Sequence, residues 1–439
     1  MSAPARLRAC AARVLIEVTE RGRTLETAMT AVRIPAAQRP ALQALCYGAV
    51  RRYLRHDACL RLLLGPRHAT TEPLLRALLV VGLEQLCDGR TPPHAAVMET
   101  VAAARDLGRH RATGFINALL RRVLREQHEL GVTLDREPAT RHAFPSWLVT
   151  AIAEDWPAEC EHVLAASNEP PPLWLRINCR RIEPGAYRAR LDELRIAYRT
   201  AVFAPESVRL DVPVDVHQVP GFDAGLVSVQ DAAAQLAARL LDVQPGMRVL
   251  DACAAPGGKA CHLLELQPTL DLVALDVDPA RTRRIRENLV RLGLDADCRV
   301  ADAAEPDGWW DGRPFDRILV DAPCSGTGVV RRRPDVKLLR RPDDIDAFAK
   351  AQRRLLTATL RLLRPGGRLV YATCSVLRAE NSRLISELLT DRPDIVDVTG
   401  SVRLERAGLP PAPDDGPGYA LLPGMADTDG FFYACLERR

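Results

Sequence analysis

The sequence predicts a multidomain chain: an all-α domain over residues 1–140, a small α+β insert over 141–235, and an α/β domain with a doubly wound, mostly parallel sheet over 236–439. Three observations predict this. As far as about Leu130, apolar residues recur at three- and four-residue spacing with few β-branched runs, the mark of packed helices. Asn168-Glu-Pro-Pro-Pro172 then breaks the chain stiffly, and shorter apolar runs follow. After Gln230, strand-like runs alternate with helical ones through Glu437, the pattern of a parallel sheet with crossover helices.

In the first part, Glu72-Pro-Leu-Leu-Arg-Ala-Leu-Leu-Val-Val-Gly-Leu-Glu-Gln-Leu86 carries the helical spacing. Gly114 to Arg125 reads as an amphipathic helix whose Arg121, Arg122 and Arg125 face either a phosphate backbone or solvent. In the insert, Leu173 to Asn178 and Ser207 to Val212 read as strands flanking a helix from Gly185 to Leu194. No internal repeat or low-complexity tract is present.

With 439 residues, 47% of them apolar, the chain can bury substantial cores and is not a disordered protein. Charge is unevenly divided: positions 1–140 hold 21 arginines, no lysine and 13 acidic residues, a net +8 against −4 for the remainder. That imbalance points to a polyanion, most simply nucleic acid. The whole chain has only three lysines, so a compositional preference for arginine explains the imbalance equally well. The 12 cysteines show no paired CxxC spacing, so neither a metal site nor a disulfide framework is expected, and a reducing cytoplasm is. Arg6, Arg8 and Arg13 precede no uncharged apolar run, and no stretch of about 18 apolar residues occurs, which argues against a signal peptide or membrane span.

The α/β domain opens with the strand Arg248-Val-Leu-Asp251, the turn Ala252-Cys-Ala-Ala-Pro-Gly-Gly-Lys259 and a helix from Ala260 to Leu266. Glycines here let backbone approach a ligand, and the helix start offers unpaired amides. The turn is not a Walker A loop, because Cys253 stands at the first glycine and Ala260 at the magnesium-binding hydroxyl. Nor does it match GxGxxG, which disfavours a dinucleotide. The next strand ends at Asp276, where such folds bind a ribose diol. Asp278 is a rival but suits an N-cap for a helix beginning near Pro279. The strand after that ends at Val300-Ala-Asp302, whose carboxylate is placed for an adenine amino group. Together these acids outline a nucleoside crevice.

Two thiols follow buried-strand patterns. Cys324 lies in Asp321-Ala-Pro-Cys-Ser-Gly-Thr-Gly328 and Cys374 in Tyr371-Ala-Thr-Cys-Ser375, so both emerge at carboxyl ends of strands, where open α/β sheets bind ligands. Two thiols in one crevice suggest covalent chemistry. The other ten cysteines, Cys46, Cys59 and Cys87 among them, read as small core hydrophobes.

With the Ala-Pro-Gly-Gly-Lys turn added, the chain resembles the RNA 5-methylcytosine methyltransferases that use S-adenosylmethionine. Its all-α start, insert and ending Asp429-Gly-Phe-Phe-Tyr-Ala434 resemble one branch, the bacterial ribosomal RNA small-subunit methyltransferase B family, whose first domain is NusB-like and whose catalytic domain is Rossmann-like. The resemblance implies that Cys253, Ala254, Ala255, Pro256, Gly257, Gly258, Lys259, Asp276, Asp302 and Asp321 contact S-adenosylmethionine or complete its pocket, with Cys374 as nucleophile. Ala260 departs from the Thr that relatives often carry, with little consequence for a turn that acts through its backbone.

Cytosine C5 is too weak a nucleophile to take a methyl group unaided. A thiolate on C6 turns the ring into an enamine with electron density at C5, and a second group then helps remove the C5 proton and expel the cysteine. Cys374 and Cys324 fill these roles in either order by chemistry alone, and the resemblance assigns the attack to Cys374. Asp321, three residues before Cys324, is placed to bond cytosine N3 or N4, given a carboxyl group raised by burial. Lys259 is either a charged contact or a plain first-turn residue. The base must be flipped or held in a loop, and Arg331, Arg332 and Arg333 either hold phosphates near it or form an exposed loop.

The resemblance implies methylation of one cytosine of 16S ribosomal RNA, free or in a small-subunit precursor, by a cytoplasmic monomer. A transfer-RNA cytosine is the alternative substrate. A non-catalytic RNA-binding or antitermination-type factor is disfavoured because both thiols and the strand-end acids are present. An amino-group methyltransferase would want an aromatic after the prolines of the Asp321 loop, where Cys324 stands instead.

Overall fold

The computed structural model describes residues 3–212, 214–404 and 408–439. The chain forms two compact units, one of residues 1–169 with 330–341, the other of residues 170–329 with 342–439.

The first unit is helical. Its long helices are Ala3–Thr19, Arg39–Arg51, Tyr53–Leu64, Pro73–Cys87, Pro93–Asp106 and Thr113–Leu134. Pro73 and Pro93 open their helices, where a missing N–H is harmless and φ is already helical. The run Leu78 to Leu83 is buried on every side, so Pro73–Cys87 is the central helix. Gly82 lets its neighbours close in, since a Cβ there would lie 3.1 Å from both Leu120 and Thr100. The helix Thr113–Leu134 buries Ile116, Leu119, Leu120 and Val123 and exposes Arg121, Arg122 and Arg125. Helices Ser146–Asp155 and Cys160–Ala166 carry this unit's helical character beyond the sequence-based boundary at 140.

Residues 330–341 belong to this unit although their neighbours in sequence do not. Asp335 accepts from the Leu25 N–H at 3.0 Å, Arg51 donates to the Arg331 carbonyl at 2.8 Å, and Lys337 donates to Asn168 at 2.8 Å. Lys337 is 1% exposed and lies over the Phe144 ring, and burial pushes its ammonium well below the usual range. Arg331 is buried as well, so neither sequence-based expectation, phosphate holder or exposed loop, describes it.

The second unit holds two sheets. The smaller is antiparallel, in the order β2-β3-β1-β4, from β1 (Leu173–Ile177), β2 (Tyr198–Ala201), β3 (Ala204–Leu210) and β4 (Val227–Val229). The larger contains β5 (Arg248–Asp251), β6 (Asp271–Asp276), β7 (Asp297–Val300), β8 (Phe315–Asp321), β9 (Leu363–Thr373), β10 (Ile395–Asp397), β11 (Tyr419–Leu421) and β12 (Phe431–Arg438). Its order is β10-β12-β9-β8-β5-β6-β7, with β11 on β12. The five strands from β9 to β7 are parallel, and β12 and its partners are antiparallel. Chain order reverses between β5 and β8, so a ligand crevice opens at the carboxyl ends of these two strands.

A buried charge network joins the sheets. Arg176 of β1, wholly buried, pairs through two nitrogens with Glu265 at 2.8 Å each and donates to the Gly258 carbonyl at 2.8 Å. Glu206 of β3 bonds His262 at 2.9 Å and pairs with Arg239, and these partners hold its carboxyl far below the ordinary range against the cost of burial. Removing one member of such a pair costs roughly 3–5 kcal/mol, because the other charge stays buried alone. The insert is thereby fastened to the helix that follows the Gly-Gly-Lys turn.

Candidate active site

The turn after β5 is built by backbone. The Ala254 N–H donates to the Leu275 carbonyl at 2.7 Å and the Gly257 N–H to the Ala254 carbonyl at 2.6 Å, which folds the turn across the ends of β5 and β6. Gly257 has φ +101°, a conformation that favours glycine, and a Cβ there would lie 3.1 Å from the Ile285 backbone. The helix Gly258–Leu266 starts at once. Beside the turn lies a cavity of about 200 Å³, lined by Cys253, Asp276, Val277, Asp302, Pro323 and Gln352 among others.

Asp276 is buried at the end of β6. Its Oδ1 accepts from the Asp278 N–H at 3.0 Å, and Arg281 lies 3.4 Å from Oδ2. Asp278 caps the helix Pro279–Leu292 through the Ala280 and Arg281 N–H groups, and of these two acids Asp276 is the one that lines the cavity. Asp302 lies just beyond β7 and bonds Arg354 at 3.1 Å.

Asp321 and Lys259 meet: Nζ lies 2.6 Å from Oδ2. Burial pulls the Lys259 ammonium down, but the charge and hydrogen bond of Asp321 outweigh it and leave the ammonium above its usual range. The Asp321 side chain is 31% exposed. Lys259 also lies over the Phe431 ring, 5.6 Å from its centre.

Asp251 was missed from the sequence. It is 0% exposed, and neither carboxylate oxygen makes a well-formed hydrogen bond. Burial above all, then the charge of Asp321, pushes its carboxyl up to about 7, with Lys259 and the Cys253 backbone pulling the other way. Its signal was the one used for Asp276, an acid closing a buried strand at the sheet's carboxyl edge.

The sulfurs of Cys324 and Cys374 lie 3.3 Å apart. β8 and β9 are paired in register, Asp321 opposite Ala372, so residues a few steps beyond each strand come together. The Gly328 N–H donates to the Cys374 carbonyl at 2.8 Å, and the Gly430 N–H to the Gly328 carbonyl at 2.8 Å. A hydrogen bond with Cys374, then burial, raises the Cys324 thiol well above its usual range. Of the other cysteines, Cys10, Cys46, Cys59, Cys261 and Cys435 are buried, whereas Cys179 and Cys87 are exposed. Cys87 closes its helix, and the expectation of a core position fails both there and at Cys179.

An orphaned buried carboxylate, a cavity ending in two strand-end acids and a turn presenting backbone amides fit S-adenosylmethionine, which has an ammonium group, a ribose and an adenine. Among the described residues, no helix is long and apolar enough to cross a membrane.

Three family models match the chain: 16S rRNA methyltransferase RsmB/F over residues 238–437, an RsmF/B-like ferredoxin-like domain over 144–217, and the NusB family over 5–125. Ribosomal RNA small subunit methyltransferase B of Vibrio cholerae is 43% identical, with 99% of this chain and 98% of the relative covered. The protein of the same name from Xanthomonas campestris is 44% identical, with 98% and 96% covered. The solved structure of PH0851 superposes with a TM-score of 0.78 at 25% identity, covering 98% of this chain and 99% of its own.

Proposed function

Since the chain belongs to the ribosomal RNA small subunit methyltransferase B family, we propose that it methylates a cytosine of 16S ribosomal RNA at C5, using S-adenosylmethionine and a covalent bond from Cys374 to C6. The observation that carries this reading is the 3.3 Å approach of the two sulfurs at the ends of adjacent parallel strands, beside the cofactor turn.

The cofactor supplies an electrophilic methyl group. Asp251 takes its ammonium, Asp276 its ribose and Asp302 its adenine, while residues Cys253 to Lys259 approach it through backbone. Cys374 attacks C6 as the thiolate. Cys324, its sulfur 3.3 Å from that of Cys374, serves the elimination: as the thiolate it takes the C5 proton, the C5–H electron pair restores the C5–C6 double bond, and Cys374 leaves C6 as the thiolate. Asp321, oriented by Lys259, faces the cytosine N3 and N4 positions. Residues 1–140, with their net charge of +8, contribute RNA binding, residues 141–235 a recognition subdomain and residues 236–439 the chemistry. The protein works as a cytoplasmic monomer, which light scattering of the purified chain checks.

The test is transfer of labelled methyl from S-adenosylmethionine to undermodified 16S RNA by wild type, Cys374→Ala and Cys324→Ala, with the product base identified. The expected result is 5-methylcytosine from wild type, no product from Cys374→Ala, and a covalent protein–RNA adduct accumulating with Cys324→Ala. A Cys374→Ala enzyme of normal rate overturns the nucleophile assignment. Label in transfer RNA instead overturns the substrate.

A further inference from the structure

Ser325 and Ser375 each follow one of the two thiols in the chain, and the reaction above uses neither hydroxyl. Both are buried, at 0% and 1% exposure. Both donate to the same atom, Oε2 of Glu380, at 2.5 Å each. Glu380 is itself 0% exposed, and its Oε1 accepts from the Ser325 backbone N–H at 2.8 Å and from Gln352 Nε2 at 3.0 Å. Four neutral donors thus converge on one carboxylate. A buried carboxylate is tolerated when hydrogen bonds saturate it, and charge-assisted bonds are the strong ones.

The same donors reach further along both loops. Gln352 Nε2 also donates to the Pro323 carbonyl at 2.9 Å, one residue before Cys324. The Leu377 N–H donates to Ser375 Oγ at 3.1 Å, and the Val376 N–H to Thr327 Oγ1 at 3.0 Å. Tyr371 OH fixes the Glu380 backbone by donating to its carbonyl at 2.7 Å. The β8–β9 pairing ends at Asp321 and Ala372, short of both cysteines, so beyond it the two loops are held by these bonds together with the Gly328 N–H to Cys374 carbonyl bond.

We propose that Glu380 is a positioning residue of the methyl-transfer site, whose carboxylate sets the separation of the Cys324 and Cys374 sulfurs by binding the residue after each. The proposal rests on the reading of both thiols as reactive groups. Glu380 touches no reacting atom; it acts through Ser325 and Ser375.

The experiment compares wild type, Glu380→Gln, Ser325→Ala, Ser375→Ala and a destabilising control, Leu388→Ala, which removes a buried side chain from the neighbouring helix Ser382–Asp391. Two quantities are read on the folded fraction. One is the rate at which diamide joins Cys324 to Cys374, the oxidant being reduced to its hydrazine and the linked peptides losing two hydrogens. The other is single-turnover methylation alongside the KM for S-adenosylmethionine. With Glu380→Gln, disulfide formation is expected to slow at least about tenfold and kcat to fall by roughly 100-fold, with KM within about twofold of wild type. The serine variants are expected to lie between, and Leu388→Ala is expected to match wild type in both. Wild-type disulfide and methylation rates in Glu380→Gln overturn the proposal, as do equal losses in Glu380→Gln and Leu388→Ala. If Glu380→Gln does not fold, the serine variants decide: wild-type disulfide rates in both overturn the proposal. Normal methylation by Cys374→Ala removes the nucleophile reading, while the disulfide rate still reports whether Glu380 sets the sulfurs.

Discussion

Asp251 makes cofactor affinity depend on pH in a calculable way. Its carboxyl stands at about 7 instead of 3.8, because the group is buried without a well-formed hydrogen bond and close to Asp321. An acid raised in the folded state binds its proton more tightly there than when unfolded, so it favours the fold most below pH 4. That contribution is lost as pH rises toward 7. Every tenfold gain in proton affinity corresponds to about 1.4 kcal/mol, so bringing a cation to Asp251 offsets a penalty on the order of 4 kcal/mol. If the ammonium of S-adenosylmethionine is that cation, binding requires Asp251 ionised. Affinity should then weaken about 15-fold between pH 7 and pH 5.5, as the ionised fraction falls from about half to a few per cent. Calorimetric titration of the purified protein across this range measures it directly. Asp251→Asn should bind about 10- to 100-fold more weakly at pH 7, having lost a charge-assisted bond, and its affinity should be flat with pH. The same variant should unfold at higher denaturant than wild type at pH 8 and lose that advantage near pH 4. A wild-type affinity that does not change from pH 7 to 5.5, or a slope that survives in Asp251→Asn, would refute the assignment of the ammonium to this carboxylate.

Further outcomes follow from neighbouring contacts. Lys259→Met strips Asp321 of its partner beside two other acids, and kcat/KM for S-adenosylmethionine is expected to fall about 10- to 100-fold; an unchanged value assigns the pair to the surface. Gly328→Ala brings a Cβ to 2.4 Å from the Gly430 carbonyl oxygen and 2.9 Å from that of Cys374, so stability should drop by about 1–3 kcal/mol and methylation with it. Thermal unfolding indistinguishable from wild type would show that the two carbonyls move aside freely. Replacing exposed Arg121, Arg122 and Arg125 with Gln should reduce the slope of log Kd for RNA against log salt by up to about one per lost phosphate contact. An unaltered slope leaves that helix face to solvent.

What was legible in the sequence was local. Asp251, Asp276 and Asp321 each close an apolar run, and Gly257-Gly258-Lys259 marks the strand-to-helix turn, so strand ends and crevice could be placed from short windows. Both thiols were found the same way. What stayed hidden depends on partners far along the chain. Glu380 meets Ser325 across 55 residues and Gln352 across 28, and nothing near Glu380 announces either contact. Arg331 looked like part of a basic loop because a run of arginines suggests solvent. Its burial follows from packing of residues 330–341 with helices that lie far earlier in the chain. The Lys259–Asp321 pair likewise joins residues far apart in sequence, brought together by the β5–β8 pairing.

That excursion of residues 330–341 has a consequence for anyone cutting the gene. The chain changes units after 169, after 329 and after 341, so no single cleavage point yields both units whole. A fragment beginning at Pro170 carries Lys337 without the Phe144 ring over which its ammonium lies and without the Asn168 side chain to which it donates. The helical fragment ending at Glu169 lacks the carboxylate that caps its Leu25 N–H. Each half would be an incomplete solution to its own packing problem, and the natural unit of expression is the uncut chain.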